Sequence, residues 1–241
     1  PMIKASISPV ADLALIGDND LGEVADKMTN IQQSFGIKPK QMRHVADALT
    51  KTFTSTNTDL MMLAESMKYA AGISRLANWK KGGAGALDES LAMIGVMGNN
   101  GIQASMAGTS LRMMYQNILS PNKTQKKLWK ALGISVKDKD GSPRNMIDLL
   151  DALAKSPKVN KANLPELMSK LFRVSASAGA AAVVQHIDQV KTLAAENKAA
   201  NGTAAAISIK KQNTVKGLWY QMTSAFEDDT LQQFERLQGI I

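Results

Sequence analysis

Cysteine is absent from the 241 residues. That excludes disulfides, zinc–thiolate centres and cysteine nucleophiles. Histidine occurs twice, at His44 and His186, and neither has a second histidine or a carboxylate cluster at metal-binding spacing. A lone helical histidine is far more often surface or core than ligand. Aromatic residues make up only 5% of the chain, and β-branched runs are scarce. No run of 18 apolar residues occurs, so no transmembrane helix is expected. The start, PMIKAS, has no signal-peptide succession of charged, apolar and cleavage segments. Pro1 is not an initiator, which suggests a processed product or a piece of a longer chain whose parent continues beyond Ile241.

What remains is 44% apolar, with fourteen methionines and many alanines. Unbranched and small side chains suit helix–helix packing. The expected fold class is all-α, either a multi-helix bundle or an extended helical array. At most one small β-hairpin is expected near residues 134–143, where Ile134-Ser135-Val136 alternates before the turn pair Asp140-Gly141. Three regions are expected: an N-terminal arm over residues 1–19, a helical core over 20–200, and a long C-terminal helix over 201–241.

Helical periodicity carries most of this reading. Leu21, Val24, Ala25, Met28, Ile31 and Phe35 form one stripe, opened by Asp20 with Glu23 and closed by Gly36. Pro39 suits the first position of the next helix, with Met42, Val45, Ala46, Leu49 and Phe53 on its face. Leu60, Leu63, Ala64 and Met67 follow the polar run Thr54–Thr58, and Gly72 is the expected stop. Residues 73–85 read as a loop. A short helix through Leu87, Leu91, Ile94 and Met97 ends at the turn Gly98-Asn99-Asn100-Gly101. Ala104, Ala107, Leu111, Met114 and Ile118 share the next stripe, which Pro121 ends. Thr124 is the expected cap of a helix through Trp129. Further helices are expected through Leu149 and Leu153, from Pro165, over the small-residue run Ser175–Val184, and from about Ala204 to Gln238, with a break at Asn201-Gly202. No short internal repeat is present.

The net charge is +8. Between Pro121 and Lys161 ten Lys/Arg face four Asp, so that segment alone carries +6. Such a face can meet nucleic acid, an anionic membrane or an acidic protein wall, or serve as solvated surface. Trp79 and Trp129 lie beside lysines, but no helix-turn-helix, finger or aromatic-sheet pattern accompanies them. The last segment is acidic, with Glu227, Asp228, Asp229 and Glu235 against Arg236. Gly82, Gly83 and Gly85 are not ordered as a phosphate loop, and Gly95, Gly98 and Gly101 follow no strand. No nucleophile elbow is present. The residues alone show no catalytic, metal or cofactor site.

One stretch is more specific. Asn100, Gly101, Ile102, Ser105, Met106, Ala107, Gly108, Thr109, Leu111 and Arg112 stand in an order that resembles the signature of tail tape measure proteins of tailed phages and prophages. Upstream, Thr58, Asp59, Leu63, Glu65, Met67, Lys68 and Tyr69 resemble a capped helix of that family. Downstream, Leu132, Gly133, Val136, Asp138, Asp140, Gly141, Leu149 and Leu153 resemble its next element, and Asn213, Thr214, Gly217, Leu218, Ser224 and Ala225 its closing helix. The resemblance covers roughly residues 20 to 230. Two departures stand out: Ala86 occupies the place of a Ser/Thr cap after a long basic loop, and Arg173 occupies the place of a glycine after Phe172.

The resemblance implies a structural role. Such proteins line the tail tube lumen as homo-oligomers (trimers or hexamers). They set tail length with the tail tube protein, assembly chaperones and distal tail or baseplate proteins. They leave ahead of the DNA, contacting DNA or the host membrane at ejection. The implied location is the host cytoplasm during assembly and the virion tail lumen afterwards. No cofactor is implied. The motif residues Gly101 to Arg112 are expected to pack rather than to catalyse. Two other readings compete: an embedded peptidoglycan hydrolase fragment using Glu65 or Glu89 as acid, which needs a second group in a cleft, and a basic module for DNA or membrane.

Overall fold

A computed structural model describes residues 2–214 of the chain. Twelve α-helices occupy these residues, and no strand is present among them. The segment expected as an N-terminal arm is helix α1 (Met2–Gly17), which tolerates Pro9 within it. Val10, Leu13 and Ala14 are buried, so this helix belongs to the core rather than standing apart. Sequence gave it little signal because its apolar positions are interrupted by Ser8 and Pro9.

α2 (Leu21–Phe35) starts where the Asp20 carboxylate accepts the Glu23 N–H at 2.9 Å, and ends at Gly36, whose φ of +64° favours glycine. Val24, Met28, Ile31 and Phe35 are its buried face, with Ala25 partly buried beside them. Leu21, expected on that face, is exposed because it stands at the first position of the helix, beyond the reach of the neighbouring helices. Pro39 opens a 3-10 turn, Pro39–Gln41, that leads into α3 (Met42–Ser55). Asp59 caps α4 (Leu60–Ala77) by accepting the Met62 N–H at 2.7 Å.

α4 does not stop at Gly72. It runs on to Ala77 because Ala70, Ala71 and Ser74 are buried against neighbouring helices. A short 3-10 turn, Trp79–Lys81, leads directly into α5 (Gly82–Asn99). The loop expected over 73–85 is therefore mostly helix. Ala86 sits inside α5 and fully buried, not at a cap.

α5 is the centre of the molecule. Every residue from Ala86 to Gly98 is buried. α3, α4, α6 (Ala104–Leu119) and α11 (Ile187–Ala199) pack around it, with α10 (Val174–Gln185) adding a further wall. A helix buried all round has no polar face, so its hydrophobic periodicity is weak.

α7 (Lys123–Leu132) is capped by Asn122, not Thr124. Asn122 Oδ1 accepts from Gln125 N at 2.9 Å, and Gln125 Oε1 accepts from Asn122 N at 2.8 Å, a reciprocal box. The expected hairpin is reduced to one antiparallel bridge, Lys137 with Pro143. Asp138 N donates to Ser142 O and Arg144 N to Val136 O, each at 2.9 Å. Only three residues, 139–141, separate Asp138 from Ser142, and no further pair forms a ladder. α8 (Met146–Ala154), α9 (Leu164–Phe172), α10 and α11 follow, with Pro165 in the first turn of α9.

Gly202 breaks the chain before α12 (Thr203–Gln212). The rest of the expected long C-terminal helix lies outside the described residues. α12 packs on α1 and α3, and one hydrophobic core runs continuously from Val10 to Ala204.

Candidate functional site

The segment singled out in the sequence forms the turn after α5 and most of α6. Gly101 has φ +76° and turns the chain. Ile102 packs partly buried against the core. Ser105 and Thr109 are half-buried, while Met106 and Arg112 are exposed. Ala107, Gly108 and Leu111 face inward, continued by Met114 and Ile118. Arg112 makes no ion pair with any described residue.

The inward face meets α4 at close range. A Cβ on Gly108 would lie 2.3 Å from the Ser66 carbonyl oxygen and 2.8 Å from its Cα. Backbone thus rests on backbone at this crossing. Ser66 Oγ donates to Met62 O within its own helix and reaches Ala104 O at 2.7 Å. Ala104 itself is held at φ +49°. A left-handed alanine is costly by about 1–3 kcal/mol, so the Ser66 bond is one of the contacts that fix it. The motif therefore builds a tight helix crossing.

A buried polar cluster lies at the junction of α4, α5, α6 and α8. Asn78 Nδ2 donates to the Tyr115 hydroxyl at 2.8 Å. Asn145 Nδ2 donates to Glu89 Oε2 at 2.7 Å, and Lys81 Nζ pairs with the other Glu89 oxygen. Burial pushes the Tyr115 phenol pKa well up, and the Glu89 charge adds to it. Tyr115 therefore stays protonated. Lys80, next along the chain, reaches Asp140 Oδ2 at 2.6 Å and holds the Asp140 carboxyl well below the usual carboxylate range, helped by Ser142. Together these bonds fasten the 137–145 segment to the end of α4. Glu89 is a structural member of this cluster.

Glu65 lines a cleft with Lys27, Ser34 and Lys68, and no second carboxylate lines it. An acid and a partner carboxylate are not brought together there. Among the described residues no group of three or more potential metal ligands occurs. No described helix is long and apolar enough to cross a membrane.

Sequence reasoning missed the partners of His44. Its Nε2 lies 2.9 Å from Asp88 Oδ1, a residue 44 positions away on α5. That hydrogen bond raises the His44 pKa above its ordinary value against the lowering effect of burial, and the Asp88 and Asp47 charges add to the rise. Asp47, one turn on along α3, is buried and accepts the N–H of Gly202 at 2.9 Å and of Ala204 at 2.8 Å. It caps α12 across 157 residues. Nearby, Asn197 Nδ2 donates to Asp88 O at 3.2 Å and Asn197 Oδ1 accepts from Thr52. This knot fastens the α11–α12 junction to α3 and α5. His186 is half-buried between α10 and α11.

Trp129 is buried, its ring edge-on to Phe172 with centroids 6.0 Å apart. α9 ends at Phe172, and its last carbonyls are taken up by buried side chains: Gln125 Nε2 donates to Leu171 O at 2.8 Å and Asn117 Nδ2 to Phe172 O at 3.3 Å. The next residue, Arg173, has φ +65° and ψ 166°. That region is essentially reserved for glycine.

Residues 2–173 match the sequence pattern of the phage-related minor tail protein family. The chain belongs to that family. It is 33% identical over 152 residues to the tape measure protein of Pneumococcus phage Dp-1, covering 63% of this chain and 12% of that protein. It is 25% identical over 244 aligned residues to the probable tape measure protein of Escherichia phage P2, covering 99% of this chain and 29% of that protein. The chain thus spans less than a third of either relative's length. No solved structure matches it.

Proposed function

We propose that this phage-related minor tail protein chain is a structural segment of a tape measure protein, a component of the virion tail. The supporting observation is the Gly108–Ser66 crossing. The residues that carry the family resemblance are spent on packing two helices, and the candidate acids Glu65 and Glu89 have no catalytic pairing. The role is therefore assembly, not chemistry. Within the parent protein the segment helps set tail length, associates with further copies in the tail lumen as a trimer or hexamer, and meets the tail tube protein, the assembly chaperones and distal tail or baseplate proteins. It leaves the tube ahead of the DNA, contacting DNA or the host membrane.

A helix rises about 1.5 Å per residue, so even a fully helical 241-residue segment would span only about 360 Å. The ruler is then the whole parent chain, of which this folded region is one station. In-frame deletions elsewhere in the parent gene should shorten the tail by about 1.5 Å for each residue removed if the ruler is helical. Tails measured by electron microscopy at unchanged length would overturn this reading. A muralytic assay on the purified chain tests the enzymatic alternative: activity lost in Glu65→Gln or Glu89→Gln would replace the structural reading.

A further inference from the structure

α7 and the residues that follow it to Lys137 carry five lysines and no acidic residue. A cleft of about 470 Å³ lies there, floored by Pro121, Ile134 and Val136 and edged by Lys126, Lys130 and Lys137. All three lysines are exposed, and none makes an ion pair with a described residue. The nearest acids in sequence, Asp138 and Asp140, are both engaged by Lys80. Trp129 also lines the cleft, and its indole N–H is buried without an acceptor among the described residues. The surface is thus an apolar trough with uncompensated positive edges.

Its chemistry selects an occupant that is apolar along one side and acidic along the other. Nucleic acid fits poorly. A phosphate backbone gains nothing from Pro121, Ile134 and Val136, and Trp129 is too buried to stack on a base. This chain carries a matching segment of its own. Residues 226–238 hold Phe226, Leu231, Phe234 and Leu237 together with Glu227, Asp228, Asp229 and Glu235, against the single Arg236. That segment lies outside the described residues. Its root, α12, packs on α1 and α3, whereas α7 packs chiefly on α9.

We propose that the α7 cleft of one copy receives the acidic segment 226–238 of a second copy. Apolar residues fill the trough while carboxylates pair with Lys126, Lys130 and Lys137. Donor segment and cleft are different surfaces, so the contact is heterologous and runs head to tail, closing into a ring where the rotation between copies permits. The proposal rests on the self-association included in the proposed function, not on length-setting. Its test uses the isolated full chain, so a ruler that fails to set tail length leaves the outcome unaffected.

Two full-length variants decide it. One carries Lys126→Glu, Lys130→Glu and Lys137→Glu; the other carries Glu227→Lys, Asp228→Lys and Asp229→Lys. All three cleft positions are exposed, and unchanged circular dichroism would establish that the fold survives. In sedimentation velocity the wild-type chain should gain mass with concentration, and less so at high salt. Each variant alone should associate at least about tenfold more weakly, as expected for like charges brought together. An equimolar mixture of the two should associate again, because each cleft, reversed or not, then finds an oppositely charged segment on the other variant. A wild-type chain that stays monomeric at every concentration would overturn the proposal, as would a mixture that stays dissociated or variants that associate like wild type. DNA retained by a monomeric wild-type chain at physiological salt, and lost with the three cleft substitutions, would assign the cleft to nucleic acid instead.

Discussion

Gly108 of α6 lies against the backbone of Ser66 in α4, so closely that a Cβ would fall 2.3 Å from the Ser66 carbonyl oxygen. The contact lies at the crossing that the family motif builds, and it is made by the absence of a side chain. Helix propensity opposes this choice, since glycine inside a helix costs about 1 kcal/mol relative to alanine. Close packing therefore outweighs propensity at this position.

Gly108→Ala should destabilise the chain by about 1–3 kcal/mol, because the obstructing atoms are backbone and cannot rotate away. Gly108→Leu should cost more. Gly72 provides the opposite case on the partner helix. It lies inside α4 with nothing within 4 Å of an added Cβ, so Gly72→Ala should stabilise by about 0.5–1 kcal/mol. Chemical denaturation of the two alanine variants reads the difference directly. Equal effects at Gly72 and Gly108 would show that the α4–α6 approach is not close.

Arg173 is the reverse situation, a long side chain where the backbone asks for glycine. Its side chain is exposed and forms no ion pair with a described residue, while its φ of +65° with ψ 166° costs about 1–3 kcal/mol. The Asn117 and Gln125 bonds to the end of α9 are among the contacts that hold the corner closed. Arg173→Gly should raise stability by about 1 kcal/mol after allowing for the greater freedom of glycine in the unfolded chain. Arg173→Ala keeps the strain and serves as the reference. Thermal melts in which the glycine variant is no more stable than the alanine variant would rule out strain at this corner.

Arg173 is legible in the sequence as a departure, because it occupies the place of a glycine in the resemblance. The stripes of α2, α3 and α6 were legible too, since each helix has one buried and one exposed face. The sequence pattern of α5 is shorter than the helix for the opposite reason: buried on every side from Ala86 to Gly98, it carries no contrast between faces. The continuation of α4 past Gly72 depends on neighbours that bury Ala70, Ala71 and Ser74, and local propensity cannot report them. The polar knot was illegible for the same reason at longer range. Nothing near Asp47 marks it as the cap of a helix that begins more than 150 residues later. His44 and Asp88 become partners only because α3 packs along α5. At the motif, the sequence marked the small residues but not their partner Ser66, since a close approach requires two surfaces and only one was recognisable.

The His44–Asp88 bond makes one part of the stability depend on pH. The folded-state pKa of His44 is raised above its ordinary value of about 6.5, chiefly by the bond to Asp88. A raised pKa means that the folded chain binds the proton more tightly than the unfolded chain does. The resulting stabilisation is fully present below the unfolded value, and is lost as pH rises through the folded value. Asp88 on α5 and Asp47 on α3 are the acids whose charges act on the imidazole, and Ala200 adds a backbone hydrogen bond. His44→Gln retains a donor for Asp88 but cannot carry the charge. In urea titrations at pH 5.5 and pH 8.5, the stability of the wild-type chain relative to His44→Gln should therefore be greater at the lower pH. The neutral imidazole can still donate one hydrogen bond to Asp88, so part of the interaction survives at high pH and the polar knot weakens rather than opens. A stability difference between wild type and His44→Gln that is the same at both pH values would mean that His44 does not titrate against Asp88 on folding.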